Sequence, residues 1–253
     1  MKKWKKPLFL TLLIVGILIL AAVIIGVLNA TVFDGAITFG WTNYTYDAKG
    51  YQVGDGTVYG SAIESIEVDW LRGDVEIVAC EDVSISLTEE SESELTDSAR
   101  VRWCVSEDGK TLRIKCRKSG WFFGKGSKEK KLILRIPQAM FEQMQSLSVT
   151  SAAGNVSMRD VATSSLTVSC EKGNVEWRSV YAPDWLSITA RDGDVSLEIP
   201  TNTDLCLTWE SKHGSVSSDF PIRQEGNVYT VGAGTREYFV AARKGDLFLV
   251  AKK

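Results

Sequence analysis

The sequence is nearly devoid of histidine. The single imidazole, His213, has no second one to form a metal pair, and a Ser-His-Asp triad would rest on it alone. Cysteine is sparse and odd in number: Cys80, Cys104, Cys116, Cys170 and Cys206. None are spaced as CxxC, which argues against thioredoxin-type redox chemistry and zinc binding. Cys104 and Cys116 flank a hairpin expected over Val101 to Lys115, with Asp108-Gly109 as its turn. In that register Cys104 faces Arg113 and Cys116 faces Val101, on opposite faces, so a bridge would need another register. Cys80 and Cys170 fit apolar columns as small core residues, and no structural disulfide framework is expected. A basic excess is also missing. Net charge is −3, and setting aside Lys2, Lys3, Lys5 and Lys6 leaves −7 for the rest, which argues against a nucleic-acid partner. From Leu147 onward there is no long amphipathic helix; the apolar period is two throughout.

What is present begins with Leu8 to Leu28, 21 residues without a charge. At 1.5 Å per residue this spans a hydrocarbon core of about 30 Å. It is longer than a signal-peptide core, and Leu28-Asn29-Ala30 is a poor cleavage site. The expected organisation is a cytoplasmic basic tail over 1–7, a transmembrane helix over 8–28, a juxtamembrane linker or cap over 29–62 and an extracytoplasmic domain over 63–253. The KKWKK cluster sets the N-terminus in the cytoplasm. Thr88 to Ser98 is acidic without a basic residue and reads as a solvated loop.

The domain is built on a repeat: an apolar alternation, a Gly followed by Asp, Asn or Ser, and a second alternation. It reads SLSVTSAAGNVSMRDV from Ser146, SLTVSCEKGNVEWRSV from Ser165, WLSITARDGDVSLEIP from Trp185 and, more weakly, LCLTWESKHGSVSSDF from Leu205. Two outlying copies are SIEVDWLRGDVEIVAC from Ser65 and YFVAARKGDLFLVAKK from Tyr238. With each Gly as zero, positions −7, −5, +2 and +4 are mostly apolar, so two half-buried strands share one face. The turn column comprises Gly73-Asp74, Gly154-Asn155, Gly173-Asn174, Gly193-Asp194, Gly214-Ser215 and Gly245-Asp246. Spacings of 19, 20 and 21 between Gly154, Gly173, Gly193 and Gly214 favour a solenoid over a sandwich of antiparallel hairpins, which Gly-Asx turns would also allow. The expected fold is all-β: a right-handed β-solenoid of ~20-residue coils behind one N-terminal helix.

The polar column reads as turn chemistry, because Asx side chains satisfy nearby backbone donors. Asp192 with Asp194 is the densest pair for a weak calcium site or a glycosidase acid/base pair, but the GGxGxDxUx calcium pattern is missing and nothing pairs the two with a sugar-stacking groove. A basic-aromatic stretch, Arg117 to Lys131, is the exposed candidate. Trp121, Phe122 and Phe123 would enter a membrane interface while Arg117, Lys118, Lys125, Lys128, Lys130 and Lys131 meet anionic lipid or wall polymer. The alternative is a hairpin whose aromatics cap one end of the stack.

The single anchor, SIEVDWLRGDVEI, DGKTLRI, KSGWFFGKGSKEKKLILRIP, the serial LSVTSAAGNVSM units and FVAARKGDLFLV occur in an order that resembles the bacterial β-strand-repeat envelope proteins classed as candidate adhesins, a domain family of unknown function. The resemblance implies a β-solenoid ectodomain in a bacterial envelope and supplies no catalytic residue, cofactor or metal. It makes the glycosylation sequons at Asn29, Asn43 and Asn155 incidental. The function expected is a non-enzymatic binding or scaffolding surface. The alternatives are a membrane-anchored sensor or regulatory subunit, with Gly16, Ala21, Ala22 and Gly26 allowing helix packing, and a glycan-acting β-helix enzyme.

Overall fold

Alternation decides the strands. Leu147 and Val149 point inward while Ser146, Ser148 and Thr150 point out, and one such strand buries only half of itself. Burial is completed by stacking. In the computed structural model, which describes residues 41–59, 62–123 and 129–252, Leu147 pairs with both Ile66 and Leu166, and Val149 with both Val68 and Val168. Leu166 and Val168 in turn pair with Leu186 and Ile188. On the other side of the core, Val75, Val156, Val175, Val195 and Leu247 form one column, and Ile77, Met158, Trp177, Leu197 and Leu249 the next. All of these side chains are buried.

The two strands flanking each repeat glycine lie in different sheets, one of eleven strands and one of nine, and pair in parallel with neighbouring coils. This is the solenoid arrangement; the Gly-Asx unit is a corner between sheets and not a hairpin. The hairpin around Asp108-Gly109 does form, in the expected register, with Cys104 opposite Arg113.

Among the described residues seven coils stack, and two of them depart from the order along the chain. The first is Thr111–Lys115 with Lys131–Pro137, followed by Ser65–Trp70 with Val75–Cys80. Ser146–Ser151 with Val156–Arg159 is third, Ser165–Lys172 with Val175–Arg178 fourth, and Trp185–Asp192 with Val195–Pro200 fifth. The sixth is the C-terminal pair, Arg236–Lys244 with Leu247–Lys252. It is inserted ahead of Leu205–Ser211 with Val216–Ser218, which is therefore seventh. The repeat over 205–220 thus does not stack on the one preceding it in sequence.

Antiparallel strands close the ends. Arg102–Val105 and Ser84–Glu90 cover the first coil, with Gln52–Val53 and Gly56–Tyr59 beyond them. Val228–Val231 and Arg223–Glu225 extend one sheet at the other end. Thr88 to Glu90 belong to this cap; the expectation of a solvated acidic loop fails there because their strand pairs with Lys131–Pro137. A separate unit includes 41–46 and 120–123. Its described part is a two-stranded antiparallel sheet of Trp41–Tyr44 and Gly120–Phe123. The expected span over 8–28 lies outside the described residues, among which no helix is long and apolar enough to cross a membrane.

Candidate functional site

The Gly-Asx column is a continuous ladder. The Oδ1 of Asp74 accepts the backbone N–H of Asn155 at 2.8 Å, Asn155 that of Asn174 at 2.9 Å, and Asn174 that of Asp194 at 2.9 Å. Asp194 accepts from Asp246 at 2.8 Å, and Asp246 from Ser215 at 2.7 Å. Each Asx therefore caps the corner of the next coil. The N–H and hydroxyl of Ser215 hold the Asp246 carboxyl below its ordinary value. Beside this ladder the glycines stack backbone on backbone. A β-carbon on Gly154, Gly173, Gly193 or Gly245 would lie 2.0–2.2 Å from the carbonyl oxygen of the coil beneath, and one on Gly214 would lie 1.8 Å from it.

This geometry accounts for the acidic pair singled out in the sequence. Asp192 binds the Arg243 guanidinium at 2.7 and 3.0 Å, which holds its carboxyl below the usual range. Asp194 is a rung of the ladder. Both carboxylates thus hold coils together. His213 is exposed, and its backbone N–H donates to Ser211 Oγ at 3.3 Å. All five cysteines are free thiols. Burial pushes the Cys170 thiol up to about 11, and it points at the carbonyls of Gly154 and Gly173.

The basic-aromatic stretch does not form one face. Lys118 and Trp121 are exposed, Trp121 at 62%. Phe122 and Phe123 enter the strand that pairs with Trp41–Tyr44. Lys125 and Lys128 lie outside the described residues. Lys131 pairs with Glu76 at 2.5 Å and is the main cause of that carboxyl's depressed pKa. Lys130 corrects the sequence reading outright. Its side chain is 1% exposed, forms an ion pair with the 2%-exposed Glu89 side chain, and donates to the carbonyls of Ala99 at 2.6 Å and of Cys116. The ammonium also sits 4.9 Å over the Trp70 ring. A lysine with these partners is unavailable to lipid or polymer.

The corner on the far side of the coils went unremarked in the sequence. Val180, Tyr181 and Trp185 are 54%, 43% and 42% exposed there, and Phe141 meets Tyr181 edge-on with centroids 5.6 Å apart. Phe141, Val180 and Tyr181 border a cavity of about 410 Å³. Periodicity assigns strand faces and is silent on corners. The available signal was three large apolar residues clustered around Pro183, outside the alternation.

Residues 63–186 match the family model described as Toastrack DUF4097. No curated protein matches the chain. A crystal structure of a candidate cell adhesion protein from Clostridium sporogenes ATCC 15579 superposes with a TM-score of 0.60 at 15% identity, covering 79% of this chain and 100% of that one. A candidate adhesin from Bacteroides fragilis NCTC 9343 gives a TM-score of 0.36 at 12% identity, covering 80% and 98%. Residues 63–186 are therefore similar to the Toastrack domain, and the resemblance to the β-strand-repeat candidate adhesins holds.

Proposed function

We propose that the chain is a single-pass membrane protein whose solenoid stands outside the cell as a non-enzymatic, adhesin-like binding or scaffolding surface. The observation that carries this reading is the Asx ladder. The polar residues that recur at the corners of the second to seventh coils are spent on joining coils, leaving outer faces and corners to meet a partner. Asp192 and Asp194, the acid/base pair of the enzymatic alternative, are engaged in the same work. The Toastrack match and the candidate cell adhesion protein support the surface role. The apolar run of Leu8 to Leu28 supports anchoring, with the basic tail in the cytoplasm.

One observation favours the sensor reading as a second. Trp41, thirteen residues beyond Leu28, opens a strand that pairs with Gly120–Phe123, so the anchor's continuation is tied to a mid-chain insertion. Replacing 8–28 by an unrelated spanning helix separates the two. Retained adherence to envelope material supports the surface role, whereas loss of a co-purifying membrane protein with adherence intact supports the sensor. Surface-protease resistance of the C-terminal domain in intact cells would refute the proposed location.

A further inference from the structure

The cavity at the aromatic corner is lined by Phe141, Tyr181, Thr163, Asn202, Asp184 and Arg236, among others. Its walls are fixed. The Tyr181 N–H donates to Ser179 Oγ at 3.0 Å, Asp184 N–H to the Ser164 carbonyl at 3.0 Å, and Arg236 N–H to the Asp204 carbonyl at 3.3 Å. Successive coils therefore contribute to one preformed concavity, of a volume typical of ligand sites.

Among the described residues, Asp184 and Arg236 are the only charged ones lining it. Arg236 Nε lies 3.8 Å from Asp184 Oδ1, beyond hydrogen-bond length, and has no hydrogen-bond partner. The Arg236 side chain is 34% exposed and the Asp184 side chain 78% exposed, so both reach the opening, while the partnerless Arg236 Nε lies buried in the wall. The pair cancels in charge. An anion would meet Asp184, a cation would meet Arg236, and a wholly apolar ligand would bury both unsatisfied. The occupant that fits is uncharged, rich in hydroxyls and apolar on one face, which is the chemistry of a sugar ring against an aromatic side chain. Trp185 is exposed next along the chain, and the sheet beyond it presents Ser148, Thr167 and Ser187 in register, an uncharged row of hydroxyls.

We propose that this corner is a subsite for a neutral saccharide chain, stacked on Tyr181 and hydrogen-bonded by Arg236 and Asp184. The inference rests on the surface-presenting reading and gives it a ligand class. The test is calorimetric titration of the full chain in detergent with chitohexaose, cellohexaose and, as the anionic counterpart, hexagalacturonate. Binding of a neutral hexamer, weakened about tenfold or more by both Tyr181→Ala and Arg236→Gln, is expected. Asp184→Asn serves as a second polar variant, and an unchanged melting temperature in each reports an intact fold. Neither neutral hexamer binding at millimolar concentration would overturn the proposal. So would binding indifferent to all three substitutions, or a preference for hexagalacturonate. Adherence to envelope material that persists in Tyr181→Ala while no hexamer binds sinks this subsite and leaves the surface role standing.

Discussion

Lys130 stands in the first coil where Gly73 stands in the second. A β-carbon on Gly73 would lie 2.1 Å from the Lys130 carbonyl oxygen, the same relation that Gly154 bears to Gly73 and Gly173 to Gly154. Trp70 Nε1–H donates to that carbonyl at 3.2 Å, just as the Cys170 thiol three places before its own glycine points at the carbonyl beneath it. A side chain is tolerated at this position only where no further coil lies beneath. There it turns into the cap and closes the end of the stack with a charge held by Glu89 and two carbonyls.

Removing that charge strands its partner. Lys130→Met leaves Glu89, its side chain 2% exposed, without its cation, and a broken buried pair costs about 3–5 kcal/mol. The double variant Lys130→Met/Glu89→Gln should recover part of this loss, because the remaining amide still accepts the Val101 N–H that Glu89 Oε1 accepts at 2.9 Å. Urea midpoints of the three proteins decide it. A single variant within 1 kcal/mol of the wild type would refute the plug.

The glycine column predicts a contrast between two glycines of similar backbone sign. Gly173 has φ +136°, and a β-carbon there would lie 2.2 Å from the Gly154 carbonyl oxygen. Gly109 has φ +74° with nothing within 4 Å of the added carbon. Gly109→Ala should cost about 1 kcal/mol, the left-handed penalty alone. Gly173→Ala adds a clash with fixed backbone and should cost about 3 kcal/mol or more. Equal losses in denaturation would mean that the turn, and not the stacking, selects glycine.

The inward columns were legible because period two and a repeat near twenty leave little choice of face: Val149, Val168 and Ile188 lie where the frame puts them. The first coil was hidden because its strands are separated by the stretch from Cys116 to Lys130, so no twenty-residue spacing marks it. Lys130 looked like one more surface lysine, since only the cap that folds under it reveals its surroundings. Coil order was illegible for a similar reason. Tyr238 matches Leu186 and Leu207 equally well in pattern, and the strand pairing, with Leu186 on one side and Leu207 on the other, is a tertiary outcome.

That order can be tested by truncation. Ending the chain at Thr235 removes the sixth coil, and Val216–Ser218 then loses Leu247–Lys252, its sheet partner. Hydrogen exchange should show loss of protection over 205–218 while the second to fourth coils keep theirs. If 205–220 instead docks on 185–200 with protection restored, the inserted position of the C-terminal coil is a preference and not a requirement.

The ladder also sets an acid dependence. Ser215 lowers the Asp246 pKa from its ordinary 3.8, and Arg243 does the same for Asp192. A carboxyl with a depressed folded pKa contributes stability that is present above its unfolded value. That contribution is lost as pH falls through the folded one. The window therefore opens near pH 4 and runs downward; neutral solution keeps the full contribution. Asn155 and Asn174 show that an uncharged amide serves as a rung equally well. Asp246→Asn should thus keep the Ser215 hydrogen bond and stay folded at pH 7, while its urea midpoint declines less than that of the wild type between pH 5 and pH 2. Parallel acid profiles for the two proteins would mean that the Asp246 charge contributes nothing beyond the acceptor it shares with asparagine.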